Sequence, residues 1–187
     1  MELTMRNLLA GGKDVDRRDF LARAELLGAC GMTVLISDYF EYYRLAAYLA
    51  LRTKERIGVV LGLPSVSELF DEKYYVDLPG GTLENFGRLF KNDLKVYVYP
   101  LQRHEGDELQ TIHTLKVKPD LQPLYDYLVR RGSFVQLDSF KPKYLQIFSR
   151  DVLKRIADGD ERWDEMVPAQ VAALIRQRGF FGYKKKE

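Results

Sequence analysis

Apolar positions along this chain come in short bursts, and four of them read as β-strands: 2–9 (ELTMRNLL), 33–37 (TVLIS), 57–62 (IGVVLG) and 94–100 (LKVYVYP). The middle two are continuously apolar and rich in β-branched residues, the pattern of strands buried on both faces. In the fourth, Tyr97 and Tyr99 alternate with Val96 and Val98. That period of two predicts one wetter face and a place nearer a sheet edge. Helical spacing fills the gaps. RRDFLARAELLGACG (17–31) sets Phe20, Ala24 and Leu27 on one face, with Gly28 and Gly31 to end it. YFEYYRLAAYLALR (39–52) repeats Tyr39, Tyr43 and Ala50 at helical intervals, and 65–75 and 82–92 supply two more helical pieces. Strand–helix alternation predicts crossovers and a parallel sheet. The expected fold is α/β, a Rossmann-like layering with a mainly parallel sheet of about four strands.

Past residue 118 the pattern turns helical. PDLQPLYDYLVRRG (119–132), 144–159 and 168–179 read as helices, the last two closing on glycine after basic residues, as helix C-termini do. SFVQL (133–137) is a short strand candidate, and RHEGDEL (103–109) a polar excursion able to close a hairpin. The expected organisation is an α/β core over 1–118 and a mainly helical segment over 119–187 packed on the same domain. Periodic structure starts by residue 2, which reads as a complete module or a piece of something longer.

Composition narrows the function classes. With 46% hydrophobic residues and 30% charged, the 187-residue chain has a real core and an ordinary wet surface. Its 29 basic and 27 acidic residues are well mixed, net +2, without the basic stripe that nucleic-acid binding requires. No run approaches the roughly 20 apolar residues of a membrane span, and no signal pattern opens the chain, so a cytoplasmic protein without membrane attachment is expected. Cys30, the single cysteine, excludes an internal disulfide and reads as a buried thiol. His104 and His113 lack a thiolate cluster to make a metal site with.

Three places offer chemistry, each beside a plainer reading. In Asp38-Tyr39-Phe40-Glu41 the acid follows a strand and a glutamate stands three places on, a capping box. The same place is where α/β sheets bind ligands, so Asp38 can meet a ribose hydroxyl and Tyr39 can stack a ring. Gly11, Gly12 and Lys13 lie between the first strand and first helix, where amides cradle phosphate or merely turn. They form no P-loop, because Asn7 and Asp14 stand where that motif needs Gly and Ser or Thr. Ser65 with Glu68 makes a second capping box or an anion contact. Thr82 reads as a third cap, after Pro79-Gly80-Gly81. Arg88 and Lys91 are a cationic pair for a phosphate or a solvated face.

The stretches 5–18 (MRNLLAGGKDVDRR), 34–49 (VLISDYFEYYRLAAYL), 72–81 (EKYYVDLPGG), 87–100 (GRLFKNDLKVYVYP), IFSRDVL and RGFFGY together resemble the C-terminal region of a family of longer bacterial proteins. That family carries two names, nicotinamide (or nicotinate) mononucleotide adenylyltransferase and TonB-dependent receptor. A receptor barrel needs many alternating strands of about ten residues, which this chain lacks. The adenylyltransferase name implies nucleotidyl transfer with a magnesium ion, but its His-x-Gly-His loop is missing here and no catalytic residue carries over. The reading is a domain binding a phosphorylated small molecule, perhaps a mononucleotide, through Gly11, Gly12, Lys13, Asp38, Tyr39 and Ser65. The rival is a non-catalytic assembly module, a homo-oligomer buried through helix 39–51 and strand 94–100, which the chain's 12 Tyr and 10 Phe would suit.

Overall fold

Every pairing between strands in the two sheets is parallel, as strand–helix alternation predicts. The computed structural model describes residues 1–4, 17–104 and 106–184, in two compact units: Met1–Phe40 with Ile147–Glu187, and Glu41–Gln146. The four expected strands do not share one sheet. Strand β1 (Glu2–Thr4) pairs with β2 (Leu35–Ser37) in the first unit. In the second, β3 (Gly58–Gly62), β4 (Lys95–Tyr99) and β5 (Phe134–Gln136) lie in the order β3-β4-β5.

In the first unit, α1 (Arg17–Ala29) separates the two strands, and Gly31 at φ +75 turns the chain out of it. Cys30 is half-buried, not buried as its apolar neighbours suggest, because α1 has already ended there. Helices α6 (Ser149–Asp158) and α7 (Ala169–Arg178) each end on a left-handed glycine, Gly159 and Gly179. Glycine carries no Cβ penalty in that conformation. Between them the short 3-10 stretch Glu161–Met166 drives Trp163 into a core with Leu26, Val152, Ile156, Ala172 and Ile175.

In the second unit, α2 (Tyr42–Ala50), α3 (Leu63–Glu68), α4 (Gly81–Leu89) and α5 (Gln122–Arg130) surround the sheet's inner face. Residues opposite one another in a parallel register share a face, so Val96, Val98 and Phe134 point one way. They meet Leu63, Val66, Phe86, Leu89, Tyr125 and Leu128 in the main core. Five rings knit it: Phe70 lies 4.5 Å from Phe86, and Phe134 stands edge-on to Phe90 at 5.3 Å. The excursion after β4 closes by an antiparallel bridge between Leu101 and Gln110. Tyr125 pins it by donating its hydroxyl to the Ile112 carbonyl at 2.5 Å.

Strand burial departs from expectation. Strand β4 is the middle strand, not an edge, and its wetter face is real: Lys95, Tyr97 and Tyr99 are half-buried while Val96 and Val98 are inside. The apolar runs of β2 and β3 are not buried on both faces, for Ile36 and Val60 are exposed. Here β3 is an edge strand and β2 sits in a two-stranded pair, so an apolar run is open where no further layer covers it.

Candidate functional site

The expected caps lie inside or outside their helices. Helix α2 begins three residues beyond Tyr39, with Glu41 at the cap and no side-chain bond to a first-turn amide. Asp38 therefore does not cap it; it follows the C-terminal end of β2, exposed, while the Tyr39 amide donates to Ser37 Oγ at 3.3 Å. Strand β3 passes straight into α3 through Gly62, with Pro64 in the first turn, so Ser65 is a helical residue. Likewise α4 is capped at Gly80, whose amide donates to Glu84 Oε2 at 2.8 Å, and Thr82 is buried within the first turn. Gly11, Gly12 and Lys13, with Asn7 and Asp14, lie outside the described residues. Asp38 and Tyr39 belong to the first unit and Ser65 to the second. Open α/β sheets commonly bind ligands at strand C-terminal ends where the strand order reverses, and among the described residues the orders β1-β2 and β3-β4-β5 each run in one direction.

Of the four rings at 39–43, only Tyr43 is in the core; Tyr39, Phe40 and Tyr42 are half-buried. Tyr43 is flanked by guanidiniums, Arg44 at 5.9 Å and Arg88 at 5.6 Å from its ring centre. Each guanidinium has a carboxylate partner: Arg44 with Glu41 at 3.3 Å, Arg88 with Glu84 at 2.5 Å. Arg88 is thus engaged with Glu84, while Lys91 stands past the end of α4.

A groove of about 420 Å³ opens between α4 and α5. Leu83, Phe86, Phe90, Leu124, Tyr127 and Leu128 make its apolar walls, and Lys91, Asn92, Asp93 and Arg131 its polar end. That polar end forms where both helices terminate and where β4 and β5 begin. It is the N-terminal edge of the sheet, opposite to where sequence reading looks for a ligand. Helix C-termini carry partial negative charge, which Lys91 and Arg131 offset. Asn92 and Asp93 turn the chain with φ of 62° and 55°, a left-handed conformation that Asn and Asp tolerate best among residues with a side chain. The Asp93 carboxylate is bridged to Lys95 Nζ at 2.9 Å. Lys95 above all, then Arg56 and Arg131, hold its pKa below the usual carboxylate range. The mouth of the groove thus holds two cations, Lys91 and Arg131, beside a carboxylate already bridged to Lys95, and Tyr127 stands half-exposed on its wall. Basic residues closing a helix are the sequence signal for this end, but they signal the dipole equally well.

Among the described residues no three His, Cys, Asp or Glu side chains group as metal ligands, and no helix is long and apolar enough to cross a membrane. No family model, no curated protein and no solved structure matches the chain.

Proposed function

We propose that the second unit binds a small anionic molecule with a flat apolar body, of the size and chemistry of a mononucleotide, in the groove between α4 and α5. The observation that carries this is a cleft of about 420 Å³, within the range of small-molecule sites, which sets two cations beside an apolar and aromatic wall. In this reading Lys91 and Arg131 hold phosphate, the Tyr127 ring lies against the base, and Asp93 accepts from a sugar hydroxyl. The likeness to proteins named mononucleotide adenylyltransferase supports a mononucleotide over other anions, and makes nucleotidyl transfer with magnesium the reaction to assay once binding is found. Calorimetric titration of the full chain with AMP, nicotinamide mononucleotide and inorganic phosphate tests the reading. Lys91→Ala and Arg131→Ala should each weaken nucleotide binding about tenfold or more, the worth of a charge-assisted hydrogen bond. Affinity unchanged in both variants sinks it.

A second reading, homo-oligomeric assembly, is favoured by the other face of the three-stranded sheet. Val60 is 64% exposed, and with Tyr97, Tyr99 and Val135 it stays outside the core cluster. Parallel sheets are ordinarily covered on both faces, and a second copy would complete this one. Sedimentation over a range of concentrations decides it: a monomer throughout excludes assembly, and a dimer should be dispersed by Val60→Lys.

A further inference from the structure

Parallel strands enter a sheet from one edge, so the three loops leading into β3, β4 and β5 lie side by side within the second unit. Each loop is basic. Lys54 and Arg56 precede β3, Lys91 and Lys95 flank the turn into β4, and Arg130 and Arg131 precede β5. Against these six cations stand two carboxylates, Glu55 and Asp93, so this edge alone exceeds the net +2 of the whole chain. Asp93 is already bridged to Lys95, and among the described residues none of the other five cations joins an ion pair. The backbone fixes the loops against one another. The Lys95 amide donates to the Ile57 carbonyl at 3.2 Å, and the Val96 amide to the Ser133 carbonyl at 2.9 Å. Arg56 and Arg131 therefore flank the entry to β4, their backbones roughly 10 Å apart, two strand spacings. Rings stand on both sides of this edge. On the helix side, Tyr127 is 50% exposed on the wall of the groove whose polar end holds Lys91 and Arg131. On the open face, Tyr97 follows Lys95 by two residues and its ring lies along β3 against Gly58. A Cβ at Gly58 would come within 2.8 Å of that ring, so only glycine lets it lie there.

We propose that this edge binds a single-stranded nucleic acid, its phosphates on the cations and its bases stacked on Tyr127 and Tyr97. The inference rests on the groove as a nucleotide site and extends its ligand from one nucleotide to a chain. A cationic track beside aromatic rings is what single strands need, since every base has a face to stack. A duplex keeps its bases inside and cannot place one in the groove. The sequence shows no basic stripe because the track is assembled from three separate loops. A second copy packed on the open face would cover Tyr97, so a nucleic-acid strand and a dimer there exclude each other.

The test is fluorescence anisotropy of a labelled oligouridylate of about ten nucleotides, within the size of such sites, titrated with the full chain. Binding should weaken about 20-fold as salt rises from about 50 to about 200 mM, the response of about three neutralised phosphates. Arg56→Ala should flatten that salt dependence by about one contact and leave the affinity for AMP as in the native chain. Tyr97→Leu, which keeps an apolar side chain on the sheet, should weaken binding about fivefold or more, the loss of one base stack. AMP bound with the oligonucleotide held no tighter overturns the strand and leaves the mononucleotide reading in place; neither bound overturns both. Arg56→Ala without effect, equal binding of the duplex, or displacement by inorganic polyphosphate as readily as by unlabelled strand also overturns the proposal.

Discussion

Asn92 and Asp93 hold consecutive left-handed conformations, φ 62° and 55°, in the turn that closes the groove. Asn92 is exposed, so its side chain contributes little packing and the backbone sets the choice of residue. Asn92→Val should lower stability by about 1–2 kcal/mol, the penalty of that conformation for a β-branched residue. Asn92→Gly should be neutral or slightly stabilising. Urea unfolding checks both, with an unchanged denaturant slope showing that the compactness of the two end states is untouched. Asp160 makes a different prediction. Its carboxylate takes hydrogen bonds from Arg162 and sits 2.7 Å from Arg155, and these partners, Arg162 first, depress its pKa. A folded pKa below the unfolded value of about 3.9 means that stability is present above that pH and lost as pH falls through the folded value. Asp160→Asn should therefore be less stable than the native chain at neutral pH, with the difference shrinking steadily below about pH 4. A constant difference across an acid series of thermal melts would contradict it. Residues were the least legible scale in the sequence. Asp38, Ser65 and Thr82 each have the right chemistry for a cap, yet the chain enters its helices elsewhere, at Glu41, Gly62 and Gly80. A capping box needs a loop before it, and β3 runs into α3 without one.

At the scale of elements the reading from pattern went further. Strands at 33–37, 57–62 and 94–100 contain β2, β3 and β4, SFVQL contains β5, and both glycine-ended helices end on those glycines. Short apolar runs and glycine after basic residues are local signals with local causes, so they survive the packing. What pattern did not carry was the partner of each strand. The single sheet expected from four similar runs is two sheets, because pairing depends on contacts far apart in sequence that no run encodes. Gly159 turns the local signal into a measurement. At φ +69 it has open space around the position of a Cβ, so Gly159→Ala tests conformation alone. The variant should lose about 1 kcal/mol or slightly more, through the left-handed strain on alanine at the end of α6. Loss much above that in a urea titration would mean that Gly159 also serves packing.

On the scale of the whole molecule, the groove shows why a site can escape a sequence read run by run. Its two halves come from 83–93 and 124–131, each an ordinary amphipathic helix with basic residues at its end. Only the packing of α4 beside α5 on β4 and β5 brings Lys91 and Arg131 from two helix ends to one mouth. The molecule also divides its hydrophobic residues between two clusters that share no member: one around Val98 and Phe134, the other around Trp163. Trp163, the single tryptophan, reports on the second cluster alone. Leu89, 1% exposed, belongs to the first. Leu89→Ala removes a buried side chain and leaves a cavity, a loss of about 2–5 kcal/mol. If each cluster is the cooperative core of its own unit, that loss falls on the second unit, which carries the three-stranded sheet. The midpoint seen by far-ultraviolet circular dichroism should then drop by several degrees, while that seen by Trp163 fluorescence moves much less. Equal shifts in both signals would show that the chain melts as one body, since coincident transitions from different probes are the mark of a single cooperative unit.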